Sequence, residues 1–282
     1  ELIANMVSLN NDRQNTAFVV GDSPLRLAAT STEVQNWASN AAVAVDNGDD
    51  GLVTSDTYLG VFYPSGTTTD LSGNTIVVPS GHAVLRMISR SDDQSFPWFA
   101  PAGTRRGTID NVSSIGYVNA STGEFTTDNT RESLRDTLYT NRVNPIAFFS
   151  GSGILGYGNK TRSTTPSALD RINVARLVAY LRKQLKSIAL AYVFEPNDKI
   201  TRDELKENIE QTMNDLVAKR GLYDFLVVCD ESNNTAARID RNELYVDIAI
   251  EPTKAAEFIY IPVRLKNTGE IASGNVAAAL AV

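Results

Sequence analysis

Residues 151–156 read Gly-Ser-Gly-Ile-Leu-Gly, the GxGxxG spacing with which a strand-to-helix turn brings backbone N–H groups to a pyrophosphate. That chemistry needs a helix directly after the last glycine, because the helix N-terminus holds the negative charge. Tyr157, Gly158, Asn159 and a Ser/Thr-rich stretch follow instead, so a glycine-rich turn is preferred over nucleotide binding. His82 is the single histidine, and Ser80 stands two residues before it. Together they could supply the base and nucleophile of a hydrolase. No GxSxG elbow is present, since Ser152 has Ser150 where that motif has glycine. A solvent-facing histidine at a helix start is the preferred reading. Asp46, Asn47, Asp49, Asp50 and Asp56 form an acidic loop around Gly48 and Gly51. Counted as an EF-hand from Asp46, the loop has Thr57 where the bidentate glutamate belongs, so a solvated turn is preferred over a Ca²⁺ site. Cys229 is the only cysteine, which excludes an internal disulfide framework and a cysteine-based zinc site. No catalytic residue, metal ligand or cofactor site is assigned.

The whole chain sets the same limits. Its 282 residues are 42% hydrophobic and 21% charged, with a net charge of −7. That is a globular composition with room for one large domain or two, and it excludes disorder and collagen. An acid excess argues against general nucleic-acid binding, whose footprint is basic. No apolar run reaches the ~18 residues of a membrane span, so membrane insertion is not expected. The first residues, Glu-Leu-Ile-Ala-Asn, include neither an initiator Met nor the start of a secretory signal. The expectation is a piece of a longer protein with sequence upstream.

The elements that must position these residues are uneven in clarity. Residues 1–165 mix turn residues with short apolar runs. Strands are expected at Thr57–Pro64, Asn74–Pro79 and Pro145–Phe149, and helices at Pro79–Asp93 and Thr130–Asn141. Strands alternating with helices point to an α/β layer architecture. Residues 158–170 read as a polar linker. Residues 166–282 form a second unit, a small sheet packed with two long helices. The first helix, Ser167–Phe194, carries Val174, Leu177, Leu181, Leu185, Ile188 and Tyr192 as one stripe. The second starts at Thr201 with Glu204 as a capping box, carries Leu205, Ile209, Met213 and Leu216, and stops at Gly221. Tyr223–Cys229 reads as a strand covered on both faces. Leu244–Glu251 and Phe258–Leu265 alternate as half-buried strands, and Pro262 places the last at a sheet edge. The remaining residues read as a tail or a partner-bound arm.

Three surfaces are candidates for partners. Arg171, Arg176, Arg182, Lys183 and Lys186 lie within an arc of about 140° at roughly 100° per residue, opposite the leucine stripe. They are either a solvated face or a patch for an acidic partner. Phe258, Ile259, Tyr260, Ile261, Val263, Arg264 and Leu265 present an edge to which another chain could add a strand. Arg238, Asp240, Arg241 and Glu243 are either interface charges or a solvated turn.

Three segments together resemble the tail sheath proteins of contractile-tailed bacteriophages. They are Phe96–Ile109 (FPWFAPAGTRRGTI), Pro166–Leu185 (PSALDRINVARLVAYLRKQL) and Arg220–Pro252, which carries RGLYDF, CDESNNT and IDRNE. The match covers nearly the whole chain. The resemblance implies the C-terminal part of a non-enzymatic structural subunit of the virion tail, assembled in the host cytoplasm. Such subunits polymerise around an inner tail tube, meet baseplate and tail terminator proteins, and contract to drive the tube through the host envelope. It further implies terminal arms that add strands to neighbouring subunits, a first half that is subtilisin-like in fold label only, and a tube contact for which Arg176, Lys183 and Lys186 are the candidates. A non-contractile virion binding module and an enzyme using His82 or Gly151–Gly156 are the alternatives.

Overall fold

The computed structural model describes residues 2–28, 30–39, 55–257 and 259–261. In chain order the elements are α1 (Leu2–Asp12), β1 (Val19–Asp22), α2 (Ser31–Ala38), β2 (Leu59–Tyr63), β3 (Ser65–Thr69), β4 (Thr75–Val78), α3 (Ser80–Gln94), α4 (Gly103–Arg106), β5 (Ser114–Val118) and β6 (Phe125–Thr127). Next come α5 (Glu132–Thr140), β7 (Val143–Phe149), β8 (Gly153–Gly156), α6 (Ile172–Leu190), α7 (Lys199–Ala218), β9 (Leu222–Val228), α8 (Ala236–Ile239) and β10 (Asp247–Pro252).

Every residue of β2 is buried, as a strand covered on both faces requires. It pairs in parallel with β1 and β7, and β8 closes the far side antiparallel, in the order β1-β2-β7-β8. Alternation along β2 sorts the two cores. Leu59, Val61 and Tyr63 meet Val34 and Trp37 of α2 and Leu134 and Leu138 of α5. Phe62 points the other way, to Ala83, Val84 and Met87 of α3 and Ile172 of α6. A second sheet, β4-β3-β5-β6, is antiparallel throughout. The expected α/β layering of the first half is present.

Residues 158–170 are not a free linker. Asn159, Thr161, Arg162 and Ser163 are buried. Asn144 donates to Val61 O at 3.0 Å and to Lys160 O at 2.8 Å, while its Oδ1 accepts from Lys160 N at 2.8 Å. The polarity of this stretch satisfies backbone groups inside the fold, where water is absent. The 165/166 division is also bridged. Ile172 of α6 sits in the α3 core, whereas Leu177 and Leu181 join α7, β9 and Trp98 in a third. Trp98 comes from the first half and donates to Lys219 O at 3.0 Å.

Helix α7 starts earlier than the Thr201–Glu204 box suggested. Asp198 is the cap, accepting from Thr201 N at 2.9 Å. At the other end the left-handed residue is Arg220, at φ 62°. Gly221 donates to Leu216 O at 2.7 Å and Arg220 to Val217 O at 3.0 Å, the bond pair of a Schellman stop. The Leu205, Ile209, Met213 and Leu216 stripe is buried as expected.

Candidate functional site

The residues with enzymatic potential are occupied structurally. Gly151 and Gly153 have φ of 83° and 79° and form the turn of the β7–β8 hairpin. A Cβ at Gly156 would run into Met87 Sδ. No helix follows this turn to receive a phosphate, only strand β8 and then an irregular stretch. Ser80 is fully buried, donating to Phe62 O at 3.0 Å and to Asp22 Oδ1 at 3.3 Å. His82 faces solvent. Burial pushes the Cys229 thiol up, away from the reactive thiolate. Among the described residues no His, Cys, Asp or Glu group is placed to hold a metal ion, and no helix is long and apolar enough to cross a membrane. Of the acidic loop, Asp46, Asn47, Asp49 and Asp50 lie outside the described residues.

The surface that stands out is the small sheet of β9 and β10. Its register runs from Asp247 opposite Val228 to Glu251 opposite Asp224. With the order β10-β9, each strand has one edge that pairs with nothing among the described residues. Strand β9 is not covered on both faces as expected. Leu222 and Val227 enter the α6–α7 core, whereas Tyr223 and Leu226 are 63% and 61% exposed. The reason is that two strands have only one helical layer to pack on. The expected strand at Leu244 begins at Asp247, because Tyr245 is held by the preceding loop.

That loop is built on asparagines that sequence reasoning did not single out. Asn233 donates to Val228 O at 2.8 Å and to Asp247 Oδ2 at 2.9 Å. Asn234 donates to Tyr245 O at 2.9 Å and accepts from Tyr245 N at 2.7 Å. Both are buried, so losing either strands backbone groups. The adjacent Asn-Asn pair ahead of a charged turn was the available signal. Arg238 lies 3.8 Å from the centroid of the Tyr245 ring and donates to Asn233 O. Arg241 forks onto Glu243 at 3.2 and 2.9 Å. The IDRNE charges therefore brace one another and the loop, with Asp240 beside them at the end of α8.

The remaining expectations divide. Ile259, Tyr260 and Ile261 are 79%, 87% and 78% exposed and form no strand; Phe258, Val263, Arg264 and Leu265 lie outside the described residues. Arg176 does not belong to an exposed basic face. It is buried and pairs with Asp92 of α3, because its side of α6 turns toward the first half. Arg171 is likewise engaged, by Asp170 at 2.9 Å and Glu257 at 2.5 Å. Lys183 and Lys186 are exposed.

Fold and surface together describe a packing protein with open sheet edges. Comparison with known proteins shows what the chain is similar to. Residues 164–266 match the family described as the phage tail sheath C-terminal domain, and the C-terminal part of the chain is similar to tail sheath proteins of phages. The tail sheath protein of Vibrio phage KVP40 is 37% identical over 182 residues, covering 64% of this chain and 26% of that protein. That of Enterobacteria phage T4 is 34% identical over 182 residues, with the same coverage of 64% and 26%. The chain thus spans about a quarter of the length of these relatives. Among solved structures, an extracellular contractile injection system (the PVC sheath complex in its contracted state) superposes with a TM-score of 0.64 at 19% identity, over 88% of this chain and 63% of that one. The helical sheath of the anti-feeding prophage, contracted, gives 0.63 at 17% identity, over 84% and 66%. The likeness to these two is one of fold.

Proposed function

We propose that this chain is the C-terminal portion of a contractile tail sheath subunit, a structural protein that polymerises with its own copies around an inner tail tube and contracts to drive the tube through the host envelope. The observation that carries this reading is the β9–β10 sheet. A bare two-stranded sheet is marginal by itself, and an unpaired edge is a template for another strand. Here both edges are open among the described residues, and apolar side chains stand on the outer face. An arm from a neighbour adding to this sheet would link subunits through backbone hydrogen bonds, which survive when side-chain contacts elsewhere rearrange. Residues 258–265, which follow β10 after a short irregular stretch, are the segment of this chain proposed to pair between subunits.

In this account the chain is no enzyme, and it works in the virion tail after assembly in the host cytoplasm. Lys183 and Lys186 meet the tube, and baseplate and tail terminator proteins bound the polymer. Asp240 and the Arg241–Glu243 pair are the interface charges nearest the sheet. Electron microscopy of the full-length chain tests the reading. Tubular polymers are expected from the intact chain, and loss of residues 258–282 should leave dispersed subunits. Polymers that form equally well without that segment would reject strand exchange.

A further inference from the structure

Arg220 occupies the left-handed backbone region, at φ 62°, where a residue carrying a Cβ is disfavoured and glycine is the usual helix stop. Glycine follows at 221, yet arginine holds the strained position. An outlier of this kind is a pointer to function. The Arg220 guanidinium lies 5.9 Å from the centroid of the Phe99 ring, and that of Arg106 lies 4.8 Å from the same centroid. Burial, then repulsion from Arg105 and Arg220, lowers the pKa of Arg106. Phe99 in turn stacks with Phe96 at 6.4 Å. Arg105, Arg106 and Arg220 meet no carboxylate among the described residues, whereas Arg171, Arg176 and Arg241 all do. Two cations are thus held over one aromatic ring, with the exposed Arg105 close enough to repel Arg106, and none of the three has a counter-charge among the described residues.

The complementary charge sits on the same helix. Asp203, Glu204 and Glu207 are exposed on the first turns of α7 and enter no ion pair among the described residues. They lie about 20–25 Å along the helix axis from Arg220 at 1.5 Å per residue, too far for one copy to pair its own ends. The exposed side chains between them include Asn208, Gln211 and Asn214, and no large apolar group is exposed there for a side-by-side pairing to bury.

We infer that Arg105, Arg106 and Arg220 form an acceptor for the carboxylates Asp203, Glu204 and Glu207 of a second copy of this chain, joining copies head to tail. The inference rests on the homotypic reading above. A contact of this heterologous kind does not close on a pair, and continues into a ring or an open helix. It supplies register and orientation, which complementary charge confers.

Full-length chains carrying Arg220→Gly, Arg105→Glu with Arg220→Glu, and the latter combined with Glu204→Arg and Glu207→Arg provide the test, read by sedimentation, electron microscopy and thermal melting. Arg220→Gly relieves the backbone, so its melting temperature should equal or exceed that of the wild type, while the concentration needed for polymerisation rises about ten-fold. The double reversal should abolish polymers and the quadruple variant restore them. Unchanged assembly in the first two variants would overturn the inference. So would failure of the quadruple variant to recover, which would make the partner another acidic protein, or recovery only as closed dimers. A wild-type chain that stays dispersed would overturn the homotypic reading as well.

Discussion

Replacing Trp98 by alanine should separate the stabilities of the two halves of the fold. The indole is 4% exposed and belongs to the same core as Leu177, Leu181, Leu205 and Met213. It stacks on Phe96 at 4.9 Å, meets Tyr180 edge-on at 5.5 Å, and donates to Lys219 O at 3.0 Å. Truncating a buried aromatic costs about 3–5 kcal/mol. About 1 kcal/mol of that is the hydrogen bond, so Trp98→Phe should cost less than half as much. For a chain of this size about 4 kcal/mol corresponds to a fall in melting temperature of roughly 8–16 °C. The chain has two tryptophans, so in the variant Trp37 alone reports the first half by fluorescence, while circular dichroism sums the helices of both halves, α6 and α7 among them. Urea unfolding should then show part of the helical signal lost before the Trp37 signal, where the wild type shows both together. A cost below about 1.5 kcal/mol, with the two signals still coincident, would refute the view that Trp98 ties the halves together.

Further outcomes follow from single sites. Gly107→Ala should destabilise by about 1–3 kcal/mol in denaturant titrations, since its Cβ would stand 2.5 Å from Gly156 O and 2.6 Å from Gly103 N. Arg176→Ala should cost about 1–3 kcal/mol by removing the partner of Asp92, whose side chain is 31% exposed, and should lower the melting temperature whether or not polymer forms; a fully stable variant with only an assembly defect would contradict its burial. The carboxyls of Asp198 and Asp230 are held below their ordinary values, by the Thr201 N–H and by the Ser232 hydroxyl and N–H respectively. Groups depressed in the folded state contribute stability above the unfolded value near ~4 and lose it as pH falls through the folded one. Melting temperature should therefore be flat down to about pH 5 and drop below it, and Asp198→Asn should flatten that drop. Cys229 should resist thiol reagents in the native protein and react once urea unfolds it, whereas rapid native labelling would contradict its burial.

How much the sequence disclosed follows from what each element does. The stripe of α7 was readable because that helix packs on one side only, whereas the first turns of α6 are buried on more than one side and its stripe told only part of its packing; α3 and β7 announced themselves through an opening Pro-Ser and an apolar run. Strand β3, Ser65–Thr69, gave no such sign. Its Ser65 and Thr67 are buried by the neighbouring strands, and Thr67 bonds to the Ser114 hydroxyl at 2.6 Å, so a polar sequence forms a buried strand. Residues 158–170 misled for the same reason, as side chains that look solvated serve internal backbone groups. Arg176 misled differently, because helical spacing gives the angle of a residue and not what faces it. The sequence points to an open edge at residues 258–265, most of which lie outside the described residues; among the described residues the open edges belong to β9 and β10.

The measurement closest to the central proposal is a density map of the polymer formed by full-length chains, examined at the outer edges of Leu222–Val228 and Asp247–Pro252. A strand contributed by another subunit, hydrogen-bonded along at least one of these edges, is the predicted result. Edges left bare within a well-ordered polymer, or a chain that forms no polymer, would contradict it.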